Sequence, residues 1–272
     1  MKENYLDIDG KAMFYRHNPI EPERLSLLLV HGLGDSGISF EDAFRYDFLD
    51  KYNIIIPDLI GYGRSSGAVN IDDYGYETQV EYLWRLINKL NLQRVIAAGH
   101  SMGGDITTML CNSDTAGVIR KYISIEGDVT QYDLTISRAT VKALDRFDFE
   151  RWYEHDFKQK LVWGKLGALR SGRLYYASLA FCRVEAFVAN ARELVRRNSS
   201  LEGKFKSEIG EMFLNLDLPK VFCYGTKSLA RSSLRFLTEN NIPLRAFEGA
   251  GHSPMSDYPD EFYKFVREYI DK

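Results

Sequence analysis

Continuous apolar runs alternate along this chain with segments whose apolar residues recur at helical spacing. A run such as LSLLLVHG is apolar throughout, which is typical of a strand buried on both faces of a sheet. The stretch YETQVEYLWRLINKLNL instead places Val80, Leu83, Trp84, Ile87 and Leu90 on one side of a helix. The predicted strands are KAMFYRH, LSLLLVHG, YNIIIPDL, RVIAAGHS, KYISIEGD, PKVFCYGTKS and PLRAFEGAGHS. With helices between most of them, the pattern predicts an α/β fold with a mostly parallel central sheet flanked by helices.

Residues 129–215 interrupt this alternation. No buried-strand run occurs there, and LYYASLAFCRVEAFVANARELVRR has the clearest helical pattern. We predict a helical cap at 129–215, inserted into a core formed by 1–128 and 216–272. From Lys142 to Lys206 the cap carries 14 Lys and Arg against 8 Asp and Glu. This excess indicates either a solvated outer face of the helices or a pocket entrance that favours anionic acyl substrates.

Composition and charge exclude several classes of protein. With 272 residues, 45% of them hydrophobic, the chain can bury a large core, and its net charge of −3 gives no general reason to expect a nucleic-acid partner. The opening MKENYLDIDG lacks the apolar region of a secretory signal, and no apolar run has the length of a membrane span. Cys111, Cys182 and Cys223 form no CxxC pair, so we expect a cytoplasmic protein without a disulfide framework or a metal site.

The segment IAAGHSMGGDI places one serine between glycines, where a strand gives way to a helix. Gly99 to Gly103 fit the pattern G-x-S-x-G around Ser101. A sharp turn there brings backbone close to backbone, which favours Gly two positions either side of the serine. It also exposes the Ser101 hydroxyl at the top of the sheet, where the N-terminus of the next helix favours developing negative charge. The pattern therefore predicts a nucleophile.

At these residues the sequence resembles the α/β-hydrolase superfamily, in its capped serine-hydrolase form. The resemblance covers most of the chain and is weakest in the predicted cap. Besides the serine motif, three features occur in the order that this family shows: a His-Gly pair after the third strand, a D-x-x-G-x-G-x-S turn after the fourth, and a Gly-His pair after the last. They are His31-Gly32, Asp58 to Ser65, and Gly251-His252.

The resemblance implies a base and an oxyanion hole. A serine hydroxyl needs a base within hydrogen-bond reach, and His252, in the turn EGAGHSPM, lies where the family keeps its catalytic histidine. His100 is adjacent to the serine, but consecutive side chains point apart there. The oxyanion hole would use the main-chain N–H groups of Leu33 and Met102, and we expect His31 to support the loop that carries Leu33.

The acid departs from the commonest family pattern. That pattern places an Asp shortly after the seventh strand, where this chain has Ser228 and no carboxylate from Val221 to Ser233. Another branch of the superfamily carries the acid after the sixth strand, here KYISIEGD. Glu126 at the end of that strand is our predicted acid, with Gly127 letting the chain turn away, and Asp128 is the alternative unless it caps the following helix.

These features predict a serine hydrolase that acts by two-step acyl transfer, most simply a carboxylesterase on small to medium esters. An aminopeptidase-like amidase and a carbon–carbon bond hydrolase stay open within enzymes. The absence of a carboxylate at Ser228 keeps open a non-catalytic ligand-binding protein of the same fold. We expect a small-molecule acyl substrate and no cofactor, since neither a metal-ligand set nor a nucleotide-binding loop is apparent.

Overall fold

A single eight-stranded sheet organises the molecule. The computed structural model describes residues 1–199 and 207–272. The strand order is β1-β2-β4-β3-β5-β6-β7-β8; β1 and β2 run antiparallel to their neighbours, and all strands from β4 onward in that order are parallel. The strands are β1 (Lys2–Ile8), β2 (Lys11–His17), β3 (Ser26–Val30), β4 (Asn53–Pro57), β5 (Val95–His100), β6 (Ile119–Ile125), β7 (Lys220–Gly225) and β8 (Leu244–Phe247).

The central strands are buried on both faces, as their continuous apolar runs predict. Every residue of β3, β4 and β5 is buried. Successive side chains of a strand point to opposite faces, so Leu28 and Ile55 join one apolar core while Leu27 and Ile54 join the other. These strands align the loops at their carboxyl ends along one edge of the sheet, where ligands bind in open α/β sheets.

Helices cover both faces and follow the apolar periodicity of the sequence. In the first of them Val80, Leu83 and Ile87 are buried, as the pattern predicts. The α-helices are α1 (Tyr76–Lys89), α2 (Met102–Asn112), α3 (Thr135–Asp145), α4 (Phe149–Arg151), α5 (Arg170–Leu179), α6 (Val184–Asn198), α7 (Glu208–Asn215), α8 (Arg231–Glu239), α9 (Pro254–Asp257) and α10 (Pro259–Asp271); 3-10 helices span Gly37–Arg45, Asp47–Leu49 and Ile71–Tyr74, and a π-helix spans Trp152–Leu166. The predicted fold class is confirmed.

The predicted cap segment contains helices and no strand within residues 129–199 and 207–215; the part at 200–206 lies outside the described residues. The long helical pattern that the sequence shows is divided into α5 and α6. At the junction the Arg183 N–H donates to the carbonyl of Gly61, 2.8 Å away. The junction between α5 and α6 is thus bonded to the loop after β4. Periodicity could not predict this interruption of the helix, because Gly61 is distant from Arg183 in the sequence.

A hairpin turn joins β1 and β2. Asp9 and Gly10 both have positive φ, 52° and 82°, which suits the tight turns that join antiparallel strands. Within the described ranges, no helix has both the length and the apolar character needed to cross a membrane.

Candidate active site

Ser101 occupies a strained turn between β5 and α2. Its φ of 52° and ψ of −126° lie in a region that residues with a side chain rarely adopt and that costs about 1–3 kcal/mol. The glycines around it leave no room for a methyl group. A Cβ at Gly99 would lie less than 3.0 Å from the carbonyl oxygen of Gly103, and one at Gly103 would lie equally close to the carbonyl oxygens of Val30 and His31. Close backbone packing therefore explains both glycines.

The loop after β3 approaches the serine from the other side. A Cβ at Gly32 would lie 3.1 Å from that of Ser101. Within the described part of the chain, the main-chain N–H groups of Leu33 and Met102 have no hydrogen-bond partner. Both sites that the sequence assigns to an oxyanion hole thus have an unused donor.

His31 lies behind this loop with a defined tautomer. Its Nε2 accepts a hydrogen bond from the Leu59 N–H at 3.0 Å, so Nδ1 carries the proton and donates to the Gly32 carbonyl at 2.9 Å. Burial lowers the pKa of the His31 imidazole below its usual 6.5 despite the nearby carboxylates of Asp35 and Asp58. A neutral, buried imidazole therefore holds the Gly32 peptide in place.

Glu126 and His252 form a close pair. Oε2 of Glu126 lies 2.6 Å from Nδ1 of His252, and Oε1 accepts the Gly225 N–H at 2.7 Å and the Ser228 hydroxyl. The Glu126 side chain is 4% exposed, whereas that of His252 is 50% exposed. The carboxylate is thus fixed from three directions, and Ser228, at the place where the family commonly has its acid, serves as one of its donors.

The turn after β6 differs in one detail from the prediction. Glu126 itself has a positive φ of 48°, whereas Gly127 does not. Gly127 is closely packed instead, since a Cβ there would lie 2.8 Å from the Ser124 Oγ and 3.4 Å from the Gly104 Cα. The turn therefore falls one residue earlier than expected, and it directs the Glu126 carboxylate toward the end of β7.

The pKa values of the two histidines beside the serine are shifted in opposite directions. Burial lowers the pKa of His252, but the hydrogen bond to Glu126 and the charges of Glu126, Asp128 and Asp133 outweigh it and raise that pKa above 6.5. Burial, followed by the charge of His252, lowers the pKa of His100 well below 6.5. His100 is therefore neutral, and its Nε2–H donates to the main-chain carbonyl of His252 at 2.9 Å.

Asp128, the alternative acid, does not contact His252 by a hydrogen bond. Its main-chain N–H donates to Asp105 at 3.0 Å, and no hydrogen bond to its carboxyl group is found within residues 1–199 and 207–272. It does not cap a helix either, because α3 begins at Thr135 and Asp133 accepts the N–H groups of the preceding turn.

The predicted residues meet at one cavity of about 420 Å³, a size typical of small-molecule sites. Gly32, Leu33, Ser101, Glu126, Asp128 and His252 line it, whereas His31, Gly99, Met102 and Gly103 lie behind its wall. Among the described residues, the surface that lines the cavity is mostly apolar, and Lys227 is the one lysine or arginine in the lining. The basic residues between 142 and 199 are absent from this lining, as a solvated outer face predicts. The other apolar and aromatic lining side chains are Tyr132, Ile136, Leu161, Leu166, Leu169, Tyr175, Leu194 and Leu229.

Contacts from the helices of residues 129–199 to the loop after β3, which carries Leu33, were not predicted. The Tyr175 hydroxyl donates to the Leu33 carbonyl at 2.9 Å, and the Ser178 hydroxyl donates to the buried carboxyl of Asp35 at 3.0 Å. Both donors lie on α5. The sequence carries no local signal for them because donor and acceptor are more than 140 residues apart in the chain.

Comparison with known proteins gives the family. Residues 26–207 match the model of the alpha/beta hydrolase fold family, and the chain belongs to that family. "Putative esterase/lipase 2" of Mycoplasma pneumoniae is 23% identical over 92% of this chain and 90% of its own length. The magnesium-chelatase 30 kDa subunit of Rhodobacter capsulatus is 39% identical over 84 residues, which span 31% of this chain and 29% of that protein. A structure from a study of carboxylesterases of Nitrososphaera gargenis has a TM-score of 0.76 at 18% identity and covers 98% of both chains.

Proposed function

We propose that this protein is a serine hydrolase that cleaves carboxylic esters by two-step acyl transfer. Ser101 is the nucleophile, His252 the base and Glu126 the acid. The observation that carries the proposal is the 2.6 Å contact of Glu126 with Nδ1 of His252, at a cavity that Ser101 also lines. The esterase names among similar proteins agree with it.

The proposed chemistry follows from the tautomer of His252. Because its Nδ1–H donates to Glu126, its Nε2 lone pair is free to accept the proton of the Ser101 hydroxyl. The serine oxygen attacks the ester carbonyl, and the N–H groups of Leu33 and Met102 stabilise the oxyanion. His252 then gives the proton to the departing alcohol. Water, deprotonated by the same imidazole, attacks the acyl-enzyme and releases the acid.

The segment at 129–215 acts as a cap in this proposal. Its helix α5 contacts the oxyanion loop, and Tyr175 lines the cavity. The apolar lining suits an aliphatic or aromatic acyl group. The non-catalytic alternative was left open because no carboxylate stands at position 228. The Glu126 carboxylate accepts the Ser228 hydroxyl, which supports the catalytic alternative.

Labelling with a fluorophosphonate probe, followed by a panel of p-nitrophenyl esters of increasing chain length, tests the proposal. We expect covalent modification of Ser101 and turnover of the esters, both abolished in Ser101→Ala. The matched control is Ser113→Ala, which removes a hydroxyl at the far end of α2 that donates to the Leu110 carbonyl. Absence of labelling in the folded wild-type protein would reject the serine mechanism. Labelling without ester turnover would reject the ester substrate class.

A further inference from the structure

Asp128 presents an unpaired carboxyl group to the active-site cavity. The residue is 6% exposed and belongs to the cavity wall. No donor within residues 1–199 and 207–272 hydrogen-bonds its carboxyl oxygens, although buried carboxylates ordinarily have partners. Neither carboxyl oxygen is completely shielded from solvent. Since Asp128 lines the cavity, we take both oxygens to face it. A ligand in the cavity is therefore the partner that this side chain lacks.

The surroundings of Asp128 are acidic, and among the described residues only the charge of His252 acts in the opposite sense on its pKa. Asp133 lines the same cavity, and its oxygens accept Val129 N–H, Thr130 N–H and the Ser233 hydroxyl. Asp105, fully buried, accepts the side-chain amide of Asn198 at 2.6 Å and the N–H of Asp128.

Burial, followed by the charges of Asp105 and Asp133, raises the pKa of Asp128 well above 3.8. The only lysine or arginine of the described lining is Lys227, which is exposed. A positive charge entering the cavity would thus relieve repulsion among several carboxylates.

An organic cation fits best as the ligand that would pair with the Asp128 carboxyl group. Among the described residues, no group of three or more His, Cys, Asp or Glu side chains is arranged to hold a metal ion. The rest of the wall is largely apolar, with Ile136, Leu161 and Leu194 among its members. An ammonium group on an aliphatic or aromatic chain matches both features, because the charge meets Asp128 and the chain meets the apolar wall.

We propose that Asp128 is a specificity-determining residue that binds an ammonium group of the substrate, so that the preferred substrates are acyl compounds carrying a positive charge. This inference rests on the proposed function and narrows its substrate class. This preference for cationic substrates is opposite to the anionic preference that the basic residues of the cap could suggest. The described basic residues of the cap do not line the cavity, whereas Asp128 does. The site lies close to the chemistry, since the charge of Asp128 acts on His252.

Matched ester pairs test this preference. One pair carries the charge on the acyl side: the p-nitrophenyl esters of ε-aminohexanoic acid and of heptanoic acid, equal in length, with methyl in place of ammonium. The other carries it on the leaving group: butyrylcholine and its neutral carbon isostere, dimethylbutyl butyrate. We expect wild-type kcat/KM to favour the cationic member of at least one pair. In Asp128→Asn that ratio should fall by about tenfold or more.

The ratio within a pair cancels general effects of a substitution on catalysis. Asp145→Asn, which removes one negative charge from the exposed end of α3, is the matched control and should leave the ratio as in the wild type. Neutral preference of the wild-type enzyme in both pairs, or an unchanged ratio in folded Asp128→Asn, would overturn the inference while leaving the hydrolase proposal intact.

A binding measurement separates the two proposals. In Ser101→Ala, calorimetric titration with hexylammonium and with hexanol should show tighter binding of the cation, and Asp128→Asn in the same background should remove the difference. This readout does not need turnover. If no ester is hydrolysed yet hexylammonium still binds through Asp128, the hydrolase proposal fails and the cation site stands. Equal affinity for the two probes in Ser101→Ala would overturn the cation site.

Discussion

Replacing Glu126 by Gln tests the proposed triad most directly, because it removes a charge with little change of shape. One oxygen of Glu126 faces Nδ1 of His252, and the other faces the Gly225 N–H and the Ser228 hydroxyl. Gln supplies an NH₂ group at one of these two positions. If it faces His252, donor meets donor, and the imidazole must move its proton to Nε2, the atom that would accept the serine proton. If it faces Gly225, a buried N–H loses its acceptor.

In both orientations the imidazolium that forms during acylation loses its negative partner. Removing one partner of a buried, hydrogen-bonded charge pair costs about 2–5 kcal/mol. Since about 1.36 kcal/mol corresponds to a tenfold change in rate, kcat/KM should fall by roughly 30- to 5,000-fold. The 2.6 Å separation and the 4% exposure of the carboxylate favour a large effect, whereas the 50% exposure of His252 screens the pair and places the expected loss in the lower part of this range.

The pH profile gives a second readout of the same substitution. His252 must be neutral to accept a proton, so kcat/KM rises with pH as the imidazolium deprotonates. Partial burial lowers the pKa of His252, but Glu126 and the nearby aspartates raise it above 6.5. The rising limb in the wild type should therefore lie above pH 6.5. In Glu126→Gln the raising contribution is lost, and the limb should move to lower pH.

Steady-state kinetics on a p-nitrophenyl ester across pH measure both effects. Ser228→Ala is the matched control, since it removes a neutral donor to the same carboxylate but leaves the charge. It should lower kcat/KM by less than about tenfold. A Glu126→Gln enzyme that is folded, retains kcat/KM within about threefold of the wild type and shows an unmoved acidic limb would refute the assignment of Glu126 as the acid.

The other predictions concern the acid position, the oxyanion loop and the serine turn. Glu126→Ala should be rescued in part by Ser228→Asp, because the side chain at 228 already touches that of Glu126; kcat/KM of the double variant should exceed that of Glu126→Ala. Tyr175→Phe should lower kcat more than it raises KM, by about fivefold for a loss of ~1 kcal/mol, since it frees the Leu33 carbonyl. Gly103→Ala should lower the free energy of unfolding by about 1–3 kcal/mol or more in urea titration, because its Cβ would meet backbone oxygens.

Each of these has a contrary result. An equally inactive double variant would show that position 228 does not reach the base. An unchanged kcat in Tyr175→Phe would show that the Tyr175 hydroxyl does not position the loop that carries Leu33. Gly67→Ala is the control for the glycine variant, since a Cβ there meets nothing closer than 3.4 Å; equal stability of the two variants would contradict the packing argument.

The sheet was predictable because burial on both faces leaves a plain mark in the sequence. The apolar runs of β3 and β4 fit strands that are buried on both faces, and the glycines at 99 and 103 mark a sharp turn around a serine between strand and helix. Both signals are local. They require no knowledge of the rest of the chain, which explains why the core strands and the position of Ser101 follow from the sequence.

Contacts between distant segments were beyond prediction. The division between α5 and α6, the hydrogen bond of Tyr175 to Leu33 and the unpaired state of Asp128 all depend on what another segment places nearby. A charge count over residues 142–206 likewise left open a basic pocket entrance, whereas the charged side chains that line the cavity, among the described residues, are mostly acidic. Composition averages over all faces of a helix, and only the fold decides which face meets the substrate.

The geometry of the sheet explains why the acid can occupy either of two strands. In a parallel sheet, neighbouring strands end side by side, about 4.8 Å apart. β6 and β7 are such neighbours, so side chains from their carboxyl ends reach the same point above the sheet edge. Glu126 starts from β6, and its carboxylate binds the main-chain N–H of Gly225 at the end of β7. The positive φ of Glu126 directs the side chain sideways, and its length covers the distance between strands. The sheet edge fixes where the carboxylate of the proposed triad must lie; in our proposal this chain supplies it from the adjacent strand, and Ser228 donates to it.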